Sequence, residues 1–248
     1  MGLWLEEDTS FLFFSRPAEA EVSVLLAEGS GLRLLDRHNL TYQQWQGGLD
    51  LEPLDFPEMA IVPAWQRSEP RYKDLAKPVL WLDPGLVFGS GLHPTTRHCL
   101  ELILLRLKKG PLGAVLDLGC GTGILGLAAA LMGAGPVLCV DLNPLCVQTA
   151  EKNARLNNLP VEAAEGPALD FLARPAELVL ANLHWRALAG LLAEPEPWAG
   201  KRDLILSGIT RSQVGPLEER LFALGYEIME RRQADHIWFS LWARRMAK

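Results

Sequence analysis

The stretch VLDLGCGTGILGLAAA, residues 115–130, limits what this chain can fold into more than any other segment. A short apolar strand runs through three alternate glycines straight into an apolar helix. Backbone that lacks Cβ atoms turns sharply there and approaches a ligand closely. The same rhythm continues downstream. Segments 136–142, 161–166, 177–183 and 203–208 read as strands, and 144–158 and 185–193 as helices, the first of them ended by Asn157 and Asn158. A helix over 213–225 follows, then segments 227–233 and 236–245 as two strands paired antiparallel. This order predicts an α/β fold, a largely parallel sheet with helices on both faces.

Residues 1–75 differ. Short pieces (FLFF, VSVLL, LRLLD, MAIVPAW) broken by Gly, Pro and Asp predict a small α+β or mostly β appendage, with 64–78 as the linker to a larger domain over 76–248. A length of 248 residues accommodates this division.

The glycine turn invites a nucleoside, and the acidic residues around it say which kind. Asp141 ends the second strand, 18 residues after Gly123, where a carboxylate holds ribose hydroxyls. Gly121, Gly123 and Gly126 also satisfy the GxGxxG dinucleotide pattern, but Asp117, two residues before Gly119, opposes a pyrophosphate. It suits instead a ligand ammonium, and S-adenosylmethionine carries an ammonium and no phosphate. Asp117, Gly119, Gly121, Gly123 and Asp141 together resemble the glycine motif of the seven-stranded, Rossmann-like class I methyltransferases.

More motifs narrow that resemblance. LDPGLVFGSGLHPTT (82–96), DLGCGTGILGLAAA (117–130), VDLNP (140–144), ANL (181–183) and LSGI (206–209) stand in the order seen in the ribosomal protein L11 methyltransferases of the PrmA type. YQQWQGGLDLEPL (42–54) and MAIVPAW (59–65) are similar to the segment that precedes this block, so the likeness covers about residues 42–243. The resemblance implies cofactor contacts from Thr96, Gly119, Asp141 and Asn182, with Gly121 and Gly123 as backbone neighbours. It also implies S-adenosylmethionine as cofactor, S-adenosylhomocysteine as product, and lysine or N-terminal amines of a basic ribosomal protein as acceptors. Family members have a longer, ferredoxin-like N-terminal domain expected to recognise the ribosomal protein, whereas about 40 residues precede YQQWQ here. Another protein or a small molecule therefore stays open as acceptor, as does a cofactor-binding module without activity.

Asn182, at the end of the fourth strand, is placed to bond the cofactor or orient an incoming nitrogen, and is one catalytic candidate. The other is His93, in the glycine-rich loop VFGSGLHPTT, because it titrates near neutral pH; hydrogen bonding to the loop is its simpler role. Gly89 and Gly91 are expected to let this loop close over the cofactor, with Pro94 and Thr95 starting a helix whose Leu100, Ile103, Leu104 and Leu107 share one face. His98 and His184 read as structural or surface residues, Trp185 as a possible wall of the acceptor site, and Trp45 and Trp65 as packing near the linker. Cys99, Cys120, Cys139 and Cys146 lack paired spacing and read as buried thiols, with no metal expected. A net charge of −6 favours a basic protein partner over nucleic acid. No apolar run reaches the roughly 20 residues of a membrane helix, and the acidic N-terminus is unlike a signal peptide, so a cytoplasmic protein is expected.

Overall fold

A computed structural model of the protein describes residues 2–6, 9–14, 18–27, 31–34, 51–72 and 75–246. His38, Trp45 and the whole of YQQWQ lie outside the described residues. Two compact units form, Met1–Asp50 and Leu51–Lys248. In the first, β1 (Gly2–Glu6) and β2 (Thr9–Phe13) pair antiparallel. The VSVLL piece is helical, in α1 (Glu19–Leu25), whose first turn carries Glu19 and Glu21. Carboxylates there favour the positive end of the helix dipole, an effect that outweighs the β-branched valines.

The second unit opens with a three-stranded sheet in the order β3 (Leu54–Asp55), β4 (Ala60–Pro63), β5 (Val79–Leu82). Strands β4 and β5 run parallel, and parallel neighbours need a crossover. Residues 64–78, expected as a linker, supply it, with 3₁₀ turns at Ala64–Gln66 and Pro70–Tyr72. A boundary at 75/76 would divide two hydrogen-bonded strands, whereas the compact units part at 50/51.

Next come α2 (Pro94–Leu107), β6 (Val115–Leu118), α3 (Ile124–Leu131), β7 (Val137–Asp141), α4 (Pro144–Leu156) and β8 (Val161–Glu165). They are followed by α5 (Ala168–Leu172), β9 (Leu178–Asn182), α6 (Trp185–Leu191), β10 (Asp203–Thr210), α7 (Arg211–Ala223), β11 (Tyr226–Ala234) and β12 (Trp238–Arg245). The seven-stranded sheet has the order β11-β12-β10-β9-β6-β7-β8, with β12 antiparallel to both its neighbours. Helix α7 starts two residues ahead of its sequence expectation because Thr210 and Gln213 form a capping box.

The alternation along each central strand sorts the core into two layers. Val115, Leu178 and Leu180 pack with α2, α3 and α4, while Leu116, Leu118, Val179 and Ala181 pack with α5, α6 and α7. Helix α3 is apolar on nearly every side, in keeping with its burial. The four cysteines are buried and unpaired. Among the described residues no helix is long and apolar enough to cross a membrane.

One buried ionic knot fastens the far end of the sheet. Arg106, 1% exposed at the end of α2, donates to Asp203 (2.5 Å), to Glu177 (2.7 Å) and to the Gly110 carbonyl. Asp203 also accepts from Trp242 (2.8 Å) and Arg244 (2.9 Å).

Candidate active site

The chain leaves β6 outward to β7 and β8, then returns to β9 on the other flank of β6. Connections diverge at such a point, and a crevice opens beyond the carboxyl ends of the strands. Leu118, Asp141 and Asn182 end β6, β7 and β9, so the residues singled out in the sequence gather at this edge.

Gly119, Gly121 and Gly123 all have positive φ (70°, 54° and 79°). Gly121 cannot be replaced without displacement, because a Cβ there would run into the Phe88 carbonyl oxygen. Its N–H donates to Asp141 Oδ2 at 2.9 Å, and Asn143 N–H donates to Oδ1 at 2.9 Å. Each carboxylate oxygen has two acceptor positions, so Asp141 is fixed in orientation and keeps one position on each oxygen for hydroxyl donors.

Asp117 is placed differently from a direct ligand contact. It shares the face of Val115, lies under α3 at 1% exposure, and accepts from Gly126 N–H at 2.9 Å. Burial drives its carboxyl up to about 7, the Gly126 bond pulls the other way, and Asp141 adds to the rise. The first-turn donor that an anion would use is thus served by a side chain, which fits poorly with a pyrophosphate at this helix start.

The loop 87–93 is clamped onto the glycine turn. Thr122 N–H donates to the Phe88 carbonyl (3.0 Å) and Thr122 Oγ1 to the Gly89 carbonyl (2.7 Å). Gly89 supplies φ of 106° and an approach so close that a Cβ would sit 2.7 Å from Thr122 Oγ1. Asn153, fully buried on α4, rivets the start of the loop: its Nδ2 donates to the carbonyls of Asp83 and Thr122, each at 3.0 Å, and its Oδ1 accepts from Asp83 N–H at 2.9 Å. One helical turn on, Asn157 bonds both the N–H and the carbonyl of Trp81 at 2.7 Å, extending the edge of β5.

His93 is the N-cap of α2, with Pro94 at the first helical position. Its Nδ1 accepts from Thr95 N–H at 3.3 Å and lies 2.7 Å from Thr95 Oγ1. The ring stands between Phe88 and Trp238, at 5.8 and 4.9 Å between centroids. Burial lowers its pKa, so the ring is neutral near pH 7. With Nδ1 accepting, the neutral ring carries its proton on Nε2 and presents a donor there. Thr96 is 1% exposed, and Asn182 Nδ2 donates to its Oγ1 at 3.5 Å. His184 caps α6 through Ala187 N–H (3.3 Å), and Trp185 packs against the α6 layer.

Sequence reasoning missed Thr122, Asn153 and Asn157, which hold the loop, and Gly208, whose φ of 84° lets β10 pass the Leu183 carbonyl. The i, i+4 spacing of Asn153 and Asn157 was the available signal, overshadowed by reading asparagine as a helix stop.

A family model described as Ribosomal protein L11 methyltransferase (PrmA) matches residues 35–246. The chain is 36% identical over 174 residues to a Ribosomal protein L11 methyltransferase of Clostridium botulinum (strain Eklund 17B / Type B), covering 69% of this chain and 54% of that protein. It is 32% identical over 213 residues to one of Thermotoga neapolitana, covering 86% and 77%. The crystal structure of a ribosomal protein L11 methylase from Lactobacillus delbrueckii subsp. bulgaricus superposes with a TM-score of 0.66 at 30% identity, over 80% of this chain and 98% of that one. The chain thus spans about half the length of the Clostridium relative. It belongs to the ribosomal protein L11 methyltransferase (PrmA) family.

Proposed function

We propose that the protein is an S-adenosylmethionine-dependent N-methyltransferase acting on lysine or N-terminal amines of a ribosomal protein of the L11 type, in the cytoplasm. The observation that carries this reading is the convergence, at the carboxyl ends of β6, β7 and β9, of the glycine turn, the half-satisfied Asp141 carboxylate and the Thr96–Asn182 pair. The residues fit the cofactor. Asp141 has acceptor positions for two ribose hydroxyls, Gly119 and Gly121 bring backbone without side chains to the crevice, and Asn182, held from behind by the buried Thr96, offers its amide at the other wall. When bound, S-adenosylmethionine supplies a methyl group on a sulfonium centre open to direct displacement.

The chain's task is then positioning and desolvation. An amine must lie in line with the methyl with its lone pair free. A lysine of pKa about 10.4 is neutral in roughly one molecule in a few thousand at pH 7, and an apolar pocket beside a cation raises that fraction. Phe88, His93 and Trp238, whose rings contact one another in that order, are assigned to the walls of that pocket and Asn182 to orienting the nitrogen, and no general base is required. Recognition of the protein acceptor is assigned to residues 1–75, helped by the net charge of −6 against a basic partner.

Titration calorimetry with S-adenosylhomocysteine tests the cofactor assignment. Saturable binding that Asp141→Asn weakens about tenfold or more is expected, from losing charge-assisted bonds to hydroxyls. Binding of NAD in its place would replace the reading with a dinucleotide enzyme.

A further inference from the structure

Behind Thr96 and Asn182 runs a chain of buried polar groups with no part in the proposed chemistry. His98 Nδ1 lies 3.3 Å from Ser240 Oγ, Ser240 Oγ lies 2.5 Å from Ser207 Oγ, and Ser207 Oγ donates to the Phe239 carbonyl at 3.3 Å. His98 is 9% exposed and both serines are fully buried.

One arrangement gives every proton along this chain an acceptor: Ser207 donates to the Phe239 carbonyl, Ser240 to Ser207, and His98 to Ser240. It places the His98 proton on Nδ1, the opposite tautomer to His93. Burial lowers the His98 pKa, with Arg232, Arg97 and His93 acting the same way and Glu101 against them, so the neutral ring with one proton prevails.

The two ends of the chain sit on the two halves of the site. His98 is two residues beyond Thr96 on α2. Ser207 is the β10 partner of Asn182 on β9, its carbonyl accepts from Leu183 N–H at 3.1 Å, and the β10 irregularity begins right after it. We infer that His98 is a positioning residue, which through Ser240 and Ser207 sets the approach of Thr96 to Asn182 and hence the fit of the cofactor. This rests on the methyltransferase reading above.

The test uses the full chain and S-adenosylhomocysteine calorimetry, with thermal unfolding recorded for each variant. His98→Leu removes the donor and is expected to weaken binding about tenfold, the worth of one well-made buried hydrogen bond. Asparagine places an amide N–H where Nδ1 stood, so His98→Asn is expected to restore affinity to within about threefold, whereas His98→Gln, whose amide reaches the Nε2 position, is not. A purely structural role predicts equal behaviour of the two amides. Ser207→Ala is expected to weaken binding as His98→Leu does, with no further loss when the two are combined. Wild-type affinity in His98→Leu, equal rescue by Asn and Gln, or additive losses would overturn the inference. If His98→Leu fails to fold, Ser207→Ala and the Asn and Gln pair decide. Absence of binding by the wild-type chain defeats the methyltransferase reading itself, a separate outcome from a wild type that binds and variants that do not differ.

Discussion

His93 and Asp117 are both pushed by burial toward their neutral forms, yet they serve the site in different ways. His93 spends its one lone pair on the cap of α2, so taking up a proton as a base would mean breaking that cap. Asparagine is a favoured N-cap, and His93→Asn is expected to leave folding stability within about 1 kcal/mol and kcat within about tenfold. A loss of about 10²–10⁴, the usual worth of a general base, would assign His93 that role after all. Asp117 carries a pH signature. Its unfolded form releases a proton near pH 4, while the folded form holds it until about 7, so the folded state binds more protons between those values. Stability therefore falls as pH rises through that window and levels off above it. Urea unfolding at about pH 5 and about pH 8 should show this loss in the wild type and a smaller one in Asp117→Asn, since the amide has no charge to bury. Identical slopes in both proteins would remove Asp117 as the source.

Helix α2 is held at both ends. Its start is capped by His93 and tied to the glycine turn through Thr122 and the clamped loop, and its end is buried in the Arg106–Asp203 knot. Burial pushes the Asp203 carboxyl up, but the bonds from Arg244, Trp242 and Arg106 outweigh it and the pKa lies below the ordinary carboxylate range. Its contribution is present above the unfolded pKa and fades as pH falls through the folded value. Asp203→Ala would leave the buried Arg106 with Glu177 as its one carboxylate partner and take the shared acceptor from Trp242 and Arg244, and is expected to cost about 3–5 kcal/mol in urea unfolding. Breaking the exposed Arg155–Glu151 pair by Arg155→Ala should cost under about 1 kcal/mol. Equal costs would mean that the knot is no more than a surface ion pair. These contacts were hidden from the sequence, since they join residues 97, 39 and 41 positions apart. The elements themselves were legible: periodicity and glycine placement gave β6, β7, β9, α3 and α4 nearly to the residue. Capping chemistry was less so, and the three-stranded sheet was obscured because a proline-rich crossover looks like a linker.

The glycine turn, Asp141 and Asn182 lie on one sheet edge at the switch between β6 and β9, within the residues 35–246 that the family model matches. Asp141 and the glycines pointed to a nucleoside from sequence, because their chemistry is local, whereas the ammonium contact expected of Asp117 gave way to its burial under α3. The acceptor was far less legible, since recognition of a protein depends on a surface assembled from distant segments. Purified full-length chain incubated with S-adenosylmethionine and ribosomal protein L11, followed by intact-mass and peptide mapping of L11, decides between the open acceptors. The expected result is the gain of whole methyl groups on lysine side chains or the N-terminal amine. An unmodified L11, from a preparation shown to bind S-adenosylhomocysteine, would contradict the proposed substrate.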